Sequence, residues 1–201
     1  TEALPMIEVQ HHEAHFTAVL AENKQLQTDD TVLGVVWDGT GYGSDGNIWG
    51  GEFFMLRNHE ITRQAHLDYF PVLMGDKMSR EPRLSILSLC GFKAEYRDLL
   101  TDKFTQAESA HYKNMLLYQK PDLFTSSMGR LLDAAASLLG VCDVMSYEGE
   151  AAMKLEALAT QCKKPRNEWY DFKVFNNVVY WNPLLEQLTE ALKKGVAKEQ
   201  I

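Results

Sequence analysis

The sequence predicts an α/β fold, a mixed sheet with flanking helices. Three observations lead there: apolar, β-branched runs broken by glycines in the first third, helical periodicity through the middle, and a short strand pattern before a last helix. From His12 to Asn23 helix formers predominate, and Phe16, Val19 and Leu20 fall at helical spacing, so the chain opens with a short helix. Val32 to Trp37 reads as a strand, broken at Asp38 by the run DGTGYGSDG, which holds too much glycine to stay regular. Strands at Ile48–Leu56 and Ile61–Tyr69 then complete an antiparallel meander.

After Pro71 the pattern turns helical. Helices are expected over Leu84–Leu89, 94–100 and 105–118, then from a Ser126 or Ser127 cap to Gly140, and from Gly149 to Cys162. A hairpin turning at Asn176-Asn177 fits 171–181. The last helix has Asn182 as its cap, Pro183 in its first turn, and Leu184, Leu185, Leu188 and Leu192 as its apolar stripe. The domain expectation is one fragment over 1–201: a histidine-bearing helical segment at 1–30, and most of one lobe with a helical insertion at 31–201.

Composition narrows the function classes. With 201 residues, 45% of them apolar, the chain can bury a sizeable core. A formal charge of -8 and a pI near 5.2 argue against a nucleic-acid partner, which would need clustered Lys and Arg. No apolar run approaches the ~20 residues of a membrane span, so no membrane partner is expected. Cys90, Cys142 and Cys162 form no C-x-x-C pair and suggest neither a disulfide framework nor a zinc finger, in keeping with a cytoplasmic setting.

The densest chemical signal is Gln10-His11-His12-Glu13-Ala14-His15. His11 and His15 are one helical turn apart on one face, so their imidazoles can share a metal, although a surface helix that happens to carry histidines would look the same. An H-E-x-x-H protease helix does not fit, because Glu13 stands one place beyond that motif's general base. Asp38, at the end of a strand, can add a carboxylate oxygen to the same metal. The loop with Gly39, Thr40, Gly41 and Gly43 offers uncovered amides to phosphate oxygens, or is simply a tight turn. On the helix after Ser126, Gly129, Asp133, Ala136 and Ser137 share a face, and Gly149, Ala152, Glu156 and Ala159 share one on the next helix. Both acids can read ribose hydroxyls, and Arg130 can neutralise phosphate or pair with Asp133. The alternative for both faces is close helix packing on small residues.

VQHHEAH, DGTGYGSDGNIWGGE, REPR, SSMGRLLDAAASLLG and YEGEAAMKLEALA, in that order, resemble the carboxy-terminal carbamoyl-transfer domain of the HypF carbamoyltransferases of hydrogenase maturation. The resemblance implies part of a domain like the actin, heat-shock and sugar-kinase ATPases. It assigns His11, His15 and Asp38 to one transition metal, zinc or iron. It assigns Gly39, Thr40, Gly41 and Gly43 to phosphate, beside which Arg130 stands on the reading of the residues alone, and Asp133, Gly149 and Glu156 to the nucleotide. The implied reaction moves a carbamoyl group from ATP-derived carbamoyladenylate, made on another domain, to the C-terminal cysteine of the partner HypE. No residue of this chain is then the nucleophile. The resemblance also implies truncation at both ends, with a fourth metal ligand and a GGVFQN-like segment beyond Ile201. The isolated chain is therefore expected to be inactive, and a catalytically incomplete nucleotide- or protein-interaction module of the same fold is the alternative.

Overall fold

The structure, a computed structural model, describes residues 6–118, 121–163 and 170–201. Helix α1 (His11–Glu22) begins where the side-chain oxygen of Gln10 accepts the backbone N–H groups of His12 and Glu13 at 2.7 and 3.0 Å. Those two donors would otherwise have no helical partner. His12, Phe16 and Leu20, four residues apart, form its buried stripe. Phe16 sits on Gly34, where a Cβ would come within 2.4 Å of the ring. Val19, expected on the apolar face, lies beside that stripe and is 56% exposed.

Strands β1 (Val32–Tyr42), β2 (Ile48–Arg57) and β3 (Glu60–Leu67) form the expected antiparallel meander. The expected break at Asp38 is not a loop. β1 pairs with β2 as far as Trp37 opposite Gly51, shifts register, and resumes with Gly41 opposite Trp49. Asp38, Gly39 and Thr40 thus bulge opposite Gly50, and only the stretch 43–47 leaves the strands. A bulge bends its strand and re-aims side chains; Gly39 lies in it and Gly41 pairs with Trp49, while Gly43 and Gly46 fall in the turn that follows.

The rest of the seven-stranded sheet is built from pieces too short to carry a periodic signal. The order is β4 (Phe70–Pro71), β5 (Phe124–Thr125), β2, β3, β7 (Val178–Tyr180) and β6 (Lys173–Phe175), with β1 on β2. β5 joins β2 and β7 joins β3 in parallel, which makes the sheet mixed. The β6–β7 turn is Asn176-Asn177 as expected, at φ 47° and 62°, a conformation that suits asparagine in tight hairpins.

Helix α2 (Pro82–Cys90) is buried along most of its length. The expected helix at 94–100 reduces to a 3₁₀ turn and a single α turn, α3 (Arg97–Leu100), followed by α4 (Gln106–Tyr118). Arg83, paired with the α2 cap residue Glu81 at 2.7 Å, ties α2 to α4 through Glu108 at 2.8 Å. Next come α5 (Met128–Leu138), α6 (Glu150–Ala159) and α7 (Asn182–Lys193). Asn182 is not the cap of α7, since Trp181 occupies that position and Pro183 falls in the first turn. Leu184 is 37% exposed, while Leu185, Leu188 and Leu192 pack on the main core with Leu84, Ile86, Leu87 and Tyr112. No helix among the described residues is long and apolar enough to cross a membrane.

Candidate metal and nucleotide site

The bulge in β1 aims the Asp38 carboxylate at the first turn of α1. Its Oδ2 lies 3.0 Å from His11 Nε2 and 3.9 Å from His15 Nε2, and the two imidazole nitrogens are 3.1 Å apart. One ligand atom from each of the three residues falls within 4.8 Å of the others. A tetrahedral site with ligand distances of about 2.0 Å has ligand edges of roughly 3.3 Å, so this triangle is of the size a single ion requires. The donor set, two imidazoles and a carboxylate, suits zinc or iron better than magnesium. Burial alone would raise the Asp38 pKa, but the Gly39 amide at 2.6 Å and the His11 hydrogen bond outweigh it and hold the carboxyl below its ordinary value. The group therefore stays an anion at neutral pH.

His12 is a neighbour that spacing alone did not single out. It is fully buried, with Nε2 3.8 Å from Asp38 Oδ2. The Gln10 oxygen is committed to two helix amides, so its NH₂ group donates to the Tyr42 carbonyl at 2.9 Å and to His12 Nδ1 at 3.2 Å. The proton of a neutral His12 must then sit on Nε2, facing Asp38. Burial lowers the His12 pKa, chiefly by desolvating its charged form, with Glu52 and Asp38 opposing. The only legible hint was that His12 lies on the Phe16 and Leu20 stripe.

Two clefts meet at the bulge. One, of ≈ 660 Å³, runs from His11 past Gly39, Thr40 and Gly41 to Met78 and Leu123. The other, of ≈ 720 Å³, holds Asp133, Ser146, Tyr147 and Gly149. Gly39, Thr40 and Arg130 line both. α5 comes close to the bulge because Gly129 has no side chain, and a Cβ there would be 2.9 Å from Gly39 Cα. Ser127 caps α5 by accepting the Arg130 N–H at 3.1 Å, and its hydroxyl lies 3.1 Å and 2.8 Å from the main-chain oxygens of Asp38 and Gly39.

Arg130 Nη2 is 3.0 Å from Asp133 Oδ2, while Arg130 Nε and Nη1 are buried without a hydrogen-bond partner. Buried donors left unpaired are costly, and the guanidinium that carries them belongs to a side chain lining both clefts. Burial raises the Asp133 pKa to about 6, against the lowering effect of Arg130. Gly149, at φ 79°, starts α6 in the left-handed region.

The expected residues do not all gather. His11, His15 and Asp38 converge, and Gly39, Thr40, Gly41, Arg130, Asp133 and Gly149 line the clefts. Gly43 does not, because it lies under Trp49, whose indole nitrogen would be 2.1 Å from an added Cβ. Glu156 is exposed and absent from the lining, so it shares no cleft with Asp133. Nor do the small-residue faces hold along their length: Ala136 packs with Cys142 and Ala151, and Ser137 is buried, donating to Asp143 at 2.6 Å. The α5–α6 contact there is helix packing. Arg80 and Tyr147, which open the REPR and YEGEAAMKLEALA blocks but were assigned no role, also line the second cleft.

The family described as "Carbamoyltransferase, Kae1-like Domain, second subdomain" matches residues 34–201. Carbamoyltransferase HypF of Synechocystis sp. is 34% identical over 94% of this chain and 27% of its own length. HypF of Rhizobium leguminosarum bv. viciae is 36% identical over 93% of this chain and 24% of its own length. The chain thus spans about a quarter of these curated relatives. A crystal structure of full-length HypF in a phosphate- and nucleotide-bound form superposes with a TM-score of 0.85 at 31% identity, covering 99% of this chain and 31% of that one. HypF of T. kodakarensis superposes with a TM-score of 0.80 at 32% identity, over 97% of this chain and 26% of that one. The α/β expectation, a mixed sheet with flanking helices of the ATPase-like class, is thereby borne out.

Proposed function

Since the chain belongs to the HypF carbamoyltransferase family, we propose that it performs the transfer step, moving a carbamoyl group from carbamoyladenylate to the C-terminal cysteine thiol of HypE. The product would supply the cyanide ligand of [NiFe]-hydrogenase. The observation that carries this reading is the convergence of His11, His15 and Asp38 at the wall shared by two clefts.

Zinc or iron held by those three side chains would act as a Lewis acid toward the carbamoyl oxygen. The bulge amides and Arg130 would hold the adenylate phosphate, and Asp133 would accept hydroxyls of the ribose. The HypE thiolate then attacks the carbamoyl carbon, a C–S bond forms, the C–O bond to phosphate breaks, and AMP leaves with the electron pair. Arg130 would favour that departure, because its guanidinium charge at the wall of both clefts can stabilise negative charge growing on the phosphate. The reacting sulfur belongs to HypE. The three free thiols agree with a reducing cytoplasm.

The test is a replacement of the matching segment of Synechocystis HypF by this chain, followed by mass spectrometry of HypE after incubation with carbamoyl phosphate and ATP. A carbamoyl adduct is expected, and His15→Ala should abolish it. A chimera that folds and makes carbamoyladenylate yet leaves HypE unmodified would refute the reading.

A further inference from the structure

Glu52, in the middle of β2, is a fully buried carboxylate outside the triad. Its Oε1 accepts the backbone N–H groups of Gly50 and Gly51, each at 3.2 Å, and the Ser126 hydroxyl at 2.5 Å. Its Oε2 receives Arg63 through Nε at 2.7 Å and Nη2 at 2.6 Å. The Arg63 guanidinium lies 3.7 Å from the centroid of the Trp49 ring and donates to the Tyr69 hydroxyl at 3.0 Å. Tyr69 and the Trp49 indole N–H both donate to Asp45, at 2.6 and 2.9 Å.

This network reaches the candidate site from two directions. Gly50 is the residue opposite the bulge, so close that an added Cβ would be 2.5 Å from the Asp38 carbonyl oxygen. Ser126 precedes Ser127, whose hydroxyl lies against the main-chain oxygens of Asp38 and Gly39 and which caps the helix bearing Arg130. A single carboxylate oxygen thus joins the β2 backbone beneath Asp38 to the entry of α5.

Stability alone does not account for such a group, because a buried ion pair can often be replaced by apolar residues of similar volume without loss. What an apolar pair cannot do is hold two amides and a hydroxyl at one point. We propose that Glu52, with Arg63 as its counter-charge, is a positioning residue that fixes the Asp38 carboxylate relative to His11, His15 and the Arg130 guanidinium. This inference rests on the metal-centred reading above and deepens it.

The experiment separates holding from stabilising. Glu52→Met with Arg63→Met keeps the volume and removes the hydrogen bonds, whereas Glu52→Gln with Arg63→Met keeps a side-chain oxygen for the three donors. Co²⁺ titration by visible absorption, melting temperature, and the Gly39 amide proton resonance are measured on the 201-residue chain. The Gly39 N–H lies 2.6 Å from Asp38 Oδ1, so its resonance reports the carboxylate position without metal.

The Met/Met pair, whose melting temperature should fall because two buried amides and a hydroxyl lose their acceptor, should in its folded state bind Co²⁺ roughly tenfold more weakly, as loss of an outer-shell partner typically does, and move the Gly39 resonance. The Gln/Met pair should restore both. If the Met/Met pair does not fold, Ser126→Ala, which removes one of the three donors, should weaken Co²⁺ and shift Gly39 in the same sense. Wild-type Co²⁺ affinity and an unmoved Gly39 resonance in a folded Met/Met pair, or in Ser126→Ala if that pair fails to fold, would overturn the proposal. A wild-type chain that binds no Co²⁺ would remove the metal reading instead, and the Gly39 resonance would still decide the positioning role.

Discussion

Replacing Asp133 by Asn should change the pH dependence of stability in a calculable way. Burial raises the Asp133 pKa from 3.8 to about 6, and every tenfold change in proton affinity is worth about 1.4 kcal/mol, so full ionisation costs the folded state on the order of 3 kcal/mol. The folded-state pKa lies above the unfolded one. The protonated form's contribution is therefore fully present below about pH 4 and is lost as pH rises through about 6. The substituted amide keeps the neutral shape at every pH, and at pH 4 both proteins leave Arg130 facing an uncharged partner. The stability of Asp133→Asn relative to wild type should consequently grow by up to about 3 kcal/mol between pH 4 and 7. Urea denaturation of both proteins at pH 4, 5, 6 and 7 measures it. A difference that stays constant across that range would refute the claim that Asp133 ionises against a desolvation penalty.

Three further outcomes are expected. Asp38→Asn and His15→Ala should each weaken Co²⁺ binding at least roughly tenfold, read by visible absorption, because each removes one of three convergent ligands; unchanged affinity would show that the ion binds elsewhere. Gly129→Ala places a Cβ 2.9 Å from Gly39 Cα, where backbone cannot yield cheaply, and should lose about 1–3 kcal/mol by thermal or urea unfolding; a neutral result would mean that α5 can draw back from the bulge. The 201-residue chain by itself, given carbamoyladenylate and HypE, should not modify HypE in stoichiometric amount, because three ligands should hold a metal weakly; an adduct on every HypE molecule in the mass spectrum would overturn that.

The legible parts of the fold were those with local causes. The β1–β2–β3 meander, the Asn176-Asn177 turn and the Ser127 cap each rest on residues a few positions apart, so spacing and turn chemistry sufficed. β4 and β5 are two residues long and pair with strands dozens of positions away, and nothing so short carries a period. The helical pattern at 94–100 was likewise insufficient, since a few turn-forming residues satisfy 3₁₀ and α geometry alike.

By itself the sequence determined that His11 and His15 share a helix face, because four residues make about one turn. It also determined that a carboxylate, glycines and two small-faced helices stand near enough to known motifs to imply a transfer site. Only the tertiary structure decided which of those groups meet. The three-residue bulge at Asp38 turned an expected loop into paired strand and delivered one carboxylate to the histidines, while Gly43 went beneath Trp49. Glu156 stands in solvent on α6, and the buried His12 and Glu52 took roles that depend on atoms from other elements. The physical reason is range: helix and turn preferences act over a few residues, whereas the position of a side chain at a site is set by register shifts and by how closely one backbone can approach another.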